Sequence, residues 1–199
     1  MGKIFYVMGK SCSGKDSMFK MIHRELPDLC TIIPYTTRPK REDEREGVEY
    51  FFVKEETLSK LAREEKIVEV RSYNTVYGIW RYFTVDDGQI NLRTNDYLMI
   101  GTLESYESVK KYYGEEKIVP IYVEVEDGER LQRALNREKS QDNPKYAEMC
   151  RRFLADSEDF CEENIEKAGI KRRFQNTDKE KCSVEIIDMI RGNFKNRSN

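Results

Sequence analysis

The chain of 199 residues has one histidine, His23, and one tryptophan. An active site built on histidine therefore has a single candidate, and its place in an amphipathic segment favours a structural or surface role. The five cysteines are odd in number, and no two stand at CxxC spacing. This pattern argues against a disulfide framework and against a zinc site, and it indicates a reducing, cytoplasmic environment.

A strong net charge and long apolar runs are also missing. Lysine and arginine total 35 against 37 aspartates and glutamates, so the formal net charge is −2. This balance provides no overall field for nucleic acid or anionic membranes, and we expect neither as a partner. No segment approaches the length of roughly 20 apolar residues that spans a bilayer. The first apolar run, Ile4 to Met8, is shorter than the core of a signal peptide.

Continuous apolar runs alternate with amphipathic segments along the chain. The runs "KIFYVMG", "CTIIPY", "VEYFFV", "DYLMIG" and "IVPIYVEV" are typical of strands, and "ESYESVKKYYG", "GERLQRALNREK", "YAEMCRRFLADSEDF" and "KCSVEIIDMIRG" are typical of helices. This alternation predicts an α/β fold with a parallel central sheet flanked by helices on both faces. Residues 37–83 are richer in strands and polar residues and predict a small lobe set into that core.

The segment "GKSCSGKDS" matches the phosphate-loop pattern G-x-x-x-x-G-K-[ST] at Gly9, Gly14 and Lys15. A glycine-rich turn between a strand and a helix directs backbone N–H groups and a helix N-terminus into one hollow that binds anions. Lys15 adds a positive charge for the β- and γ-phosphates. We therefore predict that ATP is bound by Gly9, Lys10, Ser11, Cys12, Ser13, Gly14, Lys15, Asp16 and Ser17.

Asp16 stands where the pattern has a hydroxyl that holds Mg²⁺. A carboxylate is also a hard oxygen ligand for Mg²⁺, directly or through water. Asp16 can instead serve as a negative charge at the N-terminus of a helix, and Ser17 can supply the missing hydroxyl. The residues leave these alternatives open, and we predict a metal site at Asp16 and Ser17.

A second cationic segment, "YTTRPKREDEREGVEYFF", carries Arg38, Lys40 and Arg41 within four residues. With the phosphate loop and "VYG", this segment resembles the guanylate kinase family of P-loop nucleoside monophosphate kinases, and the GKDS loop would make the chain an atypical member of it. The resemblance runs from Gly2 to about Ile190. It implies ATP-dependent phosphorylation of GMP and dGMP with Mg²⁺.

The resemblance also implies site residues and a division of one domain. The core comprises residues 1–36, 84–128 and 159–199, the GMP-binding lobe residues 37–83, and a helical lid residues 129–158. Arg38, Arg41, Tyr50 and Tyr77 would hold the phosphate of GMP, and Glu69 would accept hydrogen bonds from guanine N1–H and N2–H₂. The full GMP-binding set is Arg38, Arg41, Glu44, Tyr50, Glu69, Tyr77, Arg151 and Arg152.

Arginines dominate the predicted lid. Arg130, Arg133 and Arg137 follow helical spacing and are expected on one helix face. By the resemblance, Arg133 and Arg137 close over ATP, and Asn176 lies beside adenine. The predicted catalytic residues are Lys15, Arg38, Arg41, Arg133 and Arg137.

Some positions depart from the family pattern. Pro34 replaces the serine that contacts guanine, Met99 and Gly101 replace the paired aspartates of "LDID", and Ile79 replaces a small hydroxyl residue. Two alternatives therefore stay open. One is a P-loop kinase of another acceptor, such as ribose 1,5-bisphosphate, and the other is a non-catalytic interaction module of the same family.

Overall fold

The computed structural model describes residues 1–41, 44–75 and 78–195. The elements in chain order are β1 (Ile4–Met8), α1 (Lys15–Glu25), β2 (Cys30–Thr31), β3 (Tyr35–Thr36), β4 (Phe51–Phe52), α2 (Glu55–Arg63), β5 (Ile67–Thr75), β6 (Gly78–Val85), β7 (Tyr97–Ile100), α3 (Leu103–Tyr113), a 3₁₀ turn (Glu115–Lys117), β8 (Ile118–Glu124), α4 (Asp127–Lys139), α5 (Tyr146–Asp159), α6 (Glu162–Lys167), β9 (Arg173–Gln175) and α7 (Lys179–Lys195).

The core is a five-stranded sheet in the order β2-β7-β1-β8-β9, and every pairing is parallel. Every residue of β1 is buried, because side chains on both faces of this central strand are covered by helices. Tyr6 and Met8 pack on the face that holds α3 and α6, and Phe5 and Val7 on the face that holds α1 and α7. The fold class expected from the sequence is confirmed.

A second, four-stranded sheet has the order β4-β3-β6-β5. The long pair β5 and β6 is antiparallel, whereas β3 pairs in parallel with β4. Beneath it, Leu58 of α2 packs with Phe83 and Val85 of β6 in a small separate cluster. The strands of this sheet lie between Tyr35 and Val85, and the proposed division into core, lobe and lid stays a prediction.

Some elements differ from the expected ones. The run "CTIIPY" divides into β2, which pairs with β7 of the first sheet, and β3, which belongs to the second. Pro34 lies at this crossing, where its missing N–H costs no ladder hydrogen bond. The strand expected over "VEYFFV" is reduced to Phe51–Phe52. Helix α6 was not predicted, because six residues carry too little helical periodicity.

Helix α3 begins after Thr102, whose hydroxyl accepts a hydrogen bond from Ser105 N, and Gly114 is its C-cap. Helices α4 and α5 pack against each other, and Arg130 of α4 and Asp156 of α5 both contact Ser11 in the loop that follows β1. Within the described part of the chain, no helix has the length and apolar content that a membrane crossing needs.

Candidate active site

The loop from Gly9 to Gly14 joins β1 to α1 at the carboxyl end of the parallel sheet. Gly14 adopts a left-handed conformation with φ of 86° and directly precedes the helix. A Cβ at Gly14 would lie 2.3 Å from Asn176 Nδ2, and one at Gly9 would lie 2.3 Å from the carbonyl oxygen of Val123. Both glycines are therefore required by close approach of neighbouring groups as well as by the turn.

Asn176 holds this loop from below. The buried side chain donates from Nδ2 to the carbonyl oxygen of Ser13 at 2.7 Å, and its backbone N–H donates to Glu124 O at 2.8 Å. This loop-supporting contact was not foreseen from the sequence, where Asn176 was expected beside adenine. The only feature of the sequence that could have indicated this contact is an asparagine at the end of a short strand. The contact of Asn176 with adenine stays a prediction.

The first turn of α1 carries the three residues predicted to meet phosphate and metal. Lys15 Nζ lies 3.6 Å from Asp16 Oδ2, and the Asp16 side chain is 78% exposed. The described residues contain no group of three or more histidine, cysteine, aspartate or glutamate side chains arranged around a metal. A single carboxylate beside Ser17 nevertheless fits Mg²⁺, which takes one or two protein oxygens and completes its shell with water and phosphate.

The remaining loop residues differ in their surroundings, and their contact with ATP stays a prediction. Lys10 Nζ lies 3.2 Å from Asp127 Oδ1 at the start of α4, so this ammonium is already paired. Cys12 has a positive φ of 63°, which marks a tight loop position. Ser13 is buried, and its Oγ has no hydrogen-bond partner among the described residues.

A cavity of about 280 Å³ adjoins the loop on the side of Lys10 and Ser13. Carboxylates line much of its remaining wall, among them Glu124, Glu126 and Asp127. Such a lining repels a triphosphate. Binding of the triphosphate by the loop amides and Lys15 stays a prediction.

The second cationic group lies on the small sheet. Arg38 is almost fully buried and forms a two-pronged ion pair with Glu44, at 2.7 Å and 3.0 Å. Its Nε donates to Tyr82 Oη at 3.1 Å, and the guanidinium lies over the ring of Tyr50 at 5.7 Å. The hydrogen bond from Arg38 lowers the pKa of the Glu44 carboxyl. The structure thus brings together three of the predicted GMP-binding residues.

The side chain of Arg41 is exposed to solvent, whereas that of Arg38 is buried. The Arg41 backbone N–H donates to Glu44 Oε2 at 2.9 Å, which fixes the loop, while the side chain is exposed. The guanidinium forms no hydrogen bond or ion pair with any residue that the structure describes. Tyr77, the remaining predicted phosphate ligand of this lobe, lies outside the described residues.

Glu69 lies in β5 and is buried. Its carboxylate accepts from Arg71 Nε at 3.0 Å, from Arg71 Nη2 at 3.4 Å and from Thr84 Oγ1 at 2.9 Å. The alternation of side chains along a strand explains the pair, because residues 69 and 71 point to the same face. Arg71 was missed in the sequence, although its i, i+2 spacing from Glu69 was the signal that could have found it.

Gly101 and Met99 occupy the positions of the family's aspartates. Met99 is buried in the core, and a Cβ at Gly101 would lie 2.1 Å from the hydroxyl oxygen of Tyr6. Burial raises the pKa of the Tyr6 phenol, so it is neutral at physiological pH. A neutral tyrosine from β1 therefore fills the space beside residue 101, and no carboxylate fits there without displacing it.

The predicted lid arginines do not share one environment. Arg130 is 1% exposed, whereas Arg137 is half exposed with Glu138 at 3.7 Å. Arg133 donates from Nη2 to the carbonyl oxygen of Asn176 at 3.0 Å. Arg130 thus differs from the two predicted lid arginines, Arg133 and Arg137, because Asp156 of α5 pairs with it and its side chain is buried.

Arg151 and Arg152 both pair with Glu148 on the exposed surface of α5, at 2.7 Å and 2.9 Å. Their proximity lowers the pKa of Glu148 to about 2. In this arrangement neither guanidinium joins the Arg38 group, and their contact with GMP stays a prediction.

Comparison with known proteins gives a consistent result. A family model described as guanylate kinase matches residues 1–160. The guanylate kinase of Thermotoga maritima is 34% identical over 123 residues, which are 61% of this chain and 57% of that protein. The guanylate kinase of Legionella pneumophila strain Lens is 33% identical over 78 residues, covering 39% and 37%. The matched part thus spans less than two thirds of the length of these relatives.

A solved structure supports the same fold. The crystal structure of guanylate kinase from Anaplasma phagocytophilum has a TM-score of 0.65 and 18% sequence identity, covering 96% of this chain and 86% of that one. At this identity the likeness shows the fold alone, whereas the family model covers most of the chain. The chain belongs to the guanylate kinase family.

Proposed function

We propose that this protein transfers the γ-phosphoryl group of ATP to GMP, and by extension to dGMP, with Mg²⁺. One observation carries the proposal: the chain combines a phosphate loop with a second cationic group in which Arg38 is locked by Glu44 and Arg41 is left open. Two phosphate-binding groups of this kind suit a reaction that joins two anions.

The donor would be held by the loop amides and by Lys15, with Arg133 and Arg137 approaching from α4. The acceptor phosphate would be held by Arg38, Arg41 and Tyr50. Arg38 is suited to this role because Glu44 and Tyr82 fix the orientation of its guanidinium. Preorganised cations stabilise charge in the transition state without reorganising during the reaction.

The chemistry needs no general base. The second pKa of a phosphate monoester is about 6, so the attacking oxygen of GMP is already ionised at neutral pH. The main obstacle is repulsion between two anions, which positioned cations reduce. This explains how a chain with a single histidine, far down α1, can carry out phosphoryl transfer.

Asp16 and Ser17 would contribute to holding Mg²⁺. When bound, the ion would neutralise charge on the β- and γ-phosphates. The exposed carboxylate of Asp16 adds a negative charge at this point, and the nearby Lys15 ammonium offsets part of it. Inner- and outer-sphere contact both suit this arrangement.

Glu69 would accept a hydrogen bond from guanine, but with reduced capacity. An ionised carboxylate has about four acceptor sites. Donors from Arg71 and Thr84 already use three in this structure. We infer that guanine is recognised through one remaining site, and that discrimination by the 2-amino group is weaker than a free carboxylate would give.

The five cysteines are all free thiols, which supports a reducing compartment such as the cytoplasm as the place of action. The proposed reaction is tested by Mg²⁺-dependent ADP release from ATP, with GMP, dGMP, AMP, UMP and ribose 1,5-bisphosphate as separate acceptors. Turnover confined to guanine nucleotides supports the proposal. Turnover with ribose 1,5-bisphosphate alone would show that the protein is a kinase of that sugar phosphate instead. No turnover with any acceptor would favour a non-catalytic interaction module.

A further inference from the structure

We propose that Arg130 and Asp156 are positioning residues that hold the phosphate loop in its binding conformation. The inference rests on the proposed use of this loop for ATP. It assigns part of the ATP affinity to a buried arginine of α4 and a partly buried aspartate of α5, neither of which has a predicted contact with nucleotide.

The contact is made to one loop residue from both sides of its backbone. Asp156 Oδ2 accepts a hydrogen bond from Ser11 N at 2.8 Å, and Arg130 Nη1 donates to Ser11 O at 3.3 Å. The two side chains also pair with each other, since Arg130 Nη1 lies 3.2 Å from Asp156 Oδ2. Both peptide groups of a residue inside the glycine-rich turn are thus bound by one ion pair.

A second contact extends the same network to the preceding loop residue. Arg130 Nε donates to Asp127 Oδ1 at 3.1 Å, and Lys10 Nζ lies 3.2 Å from the same oxygen. Hydrogen bonds from Arg130 and Lys10 lower the pKa of the Asp127 carboxyl, although its partial burial opposes this. Two cations and two carboxylates therefore share the network, and its net charge is zero.

The helix α4 also supports the far end of the loop. Arg133 donates to the carbonyl oxygen of Asn176, and Asn176 in turn donates to Ser13 O. The loop is consequently held at Ser11 by Arg130 and at Ser13 through Arg133, one helical turn later. Movement of α4 relative to the sheet would displace the contacts at Ser11 and at Ser13, so the conformation of the loop is linked to the position of the helix.

Burial makes the Arg130 contact rigid. This residue is the largest of the fully buried side chains, and its guanidinium lies 4.1 Å from the centre of the Phe153 ring. A buried pair fixes geometry well because separation exposes an uncompensated charge to a low-dielectric interior. A loop held in this way loses little conformational entropy when it binds phosphate.

Charge gives the two residues distinct expected effects. A carboxylate beside an anion-binding loop opposes ATP binding unless it is neutralised, and Arg130 together with Lys10 offsets the charges of Asp156 and Asp127. Arg130→Met leaves Asp156 and Asp127 with only the Lys10 ammonium, so the network has a net charge of −1, and it removes the contact with Ser11 O. Asp156→Asn keeps an oxygen acceptor for Ser11 N, whereas Asp156→Leu removes it.

The test measures the dissociation constant of ATP by calorimetry and, where turnover is found, KM for ATP and for GMP. We expect about tenfold weaker ATP binding in R130M, a smaller loss in D156L and the smallest in D156N. KM for GMP should stay within about twofold, because the acceptor lobe lies outside the network. Arg172→Met is the matched control, since it breaks the exposed pair with Glu185 away from the loop.

Each result decides the matter. ATP binding within twofold of the native value in folded R130M and D156L overturns the proposal, and so does an equal rise of KM for both substrates, which indicates general destabilisation. Should R130M fail to fold, the proposal is tested by the ATP affinities of the two Asp156 variants. It requires D156L to bind ATP more weakly than D156N. ATP binding is measured without an acceptor, so failure of the protein to phosphorylate GMP would not by itself affect this inference.

Discussion

The hydroxyl of Tyr6 occupies the space that any side chain at residue 101 would need, since a Cβ at Gly101 would lie 2.1 Å from that oxygen. Tyr6 is fully buried and packs edge-on against Tyr106, with ring centroids 5.6 Å apart. The ring is therefore enclosed by the core on the side of Tyr106 and has no contact with solvent. Tyr6 on β1 and Gly101 after β7 therefore form one packing arrangement.

We expect Gly101→Ala to lower the free energy of unfolding by about 1–3 kcal/mol, the usual cost of overpacking a core. In a Tyr6→Phe background the clashing oxygen is absent and the nearest ring atom lies 3.0 Å away, so the loss should be smaller. Urea unfolding of the two single variants and the double variant measures this coupling. Additive free energies in the double variant would contradict the packing relationship.

Arg41 should matter for activity and not for stability. Its exposed guanidinium contacts no described side chain, so Arg41→Ala is expected to change the free energy of unfolding by less than about 0.5 kcal/mol. Loss of a charge-assisted hydrogen bond to the acceptor should lower kcat/KM for GMP by about 10- to 100-fold. Lys40→Ala, on the same loop, is the control. A normal rate in R41A would remove Arg41 from the acceptor site.

Acid should weaken the lobe through Glu44. The pKa of this carboxyl is lowered in the folded state, so its stabilising effect is complete above the ordinary glutamate value of about 4.3 and is lost as the pH falls through the lower folded value. Glu44→Gln should therefore lose less stability than the native chain between about pH 5 and pH 3.

The measurement is thermal unfolding at several pH values. Glu148→Gln serves as a comparison, because the pKa of Glu148 is about 2 but its pairs are exposed and screened by solvent. We expect the pH dependence of thermal unfolding of E148Q to differ less from that of the native protein than the pH dependence of E44Q does. Parallel profiles for native protein and E44Q would show that the Arg38–Glu44 pair does not control acid stability.

Base selectivity should depend on Arg71. With three acceptor sites of Glu69 in use, the ratio of kcat/KM for GMP to that for IMP, which lacks the 2-amino group, should be less than about tenfold. Arg71→Met frees two sites and should raise this ratio by about tenfold.

The ratio is insensitive to partial unfolding, because both acceptors are measured on the same protein. This matters since R71M leaves the buried Glu69 carboxylate with Thr84 alone and should destabilise the fold. Val70→Thr, on the opposite face of β5, controls for changes in the strand. An unchanged ratio in R71M would mean that Glu69 does not contact the base.

Asp16 should affect the requirement for Mg²⁺. Replacement by asparagine removes a charged oxygen ligand, so the concentration of Mg²⁺ for half-maximal activity should rise severalfold while activity at saturating Mg²⁺ largely recovers. Titration of the native protein, D16N and S17A with Mg²⁺ compares the two candidate ligands. Identical Mg²⁺ curves for native protein and D16N would assign Asp16 to the helix N-terminus instead.

Local patterns alone were sufficient for much of this molecule. The buried strands, the glycine-lysine loop and the amphipathic helices could be predicted because each depends on residues close together in the chain. The same reasoning selected Lys15, Arg38 and Arg41 as candidate phosphate ligands, since their chemistry is carried by short motifs, and these roles stay predictions. It failed at "CTIIPY", where one apolar run serves two sheets and only the long-range partners decide the division.

Tertiary structure decided which charged groups are free and which are already paired. Arg130 and Asp156 lie 26 residues apart on consecutive helices, and Ser11 lies more than a hundred residues from both, so no spacing rule connects them. Tyr6 and Gly101 meet only because β1 and β7 are neighbours in the sheet. Residue type and periodicity determined the helices, the strands and the kinds of functional group that the chain carries. Whether a given charged side chain can bind a ligand depended on neighbours that only folding brings within hydrogen-bond distance.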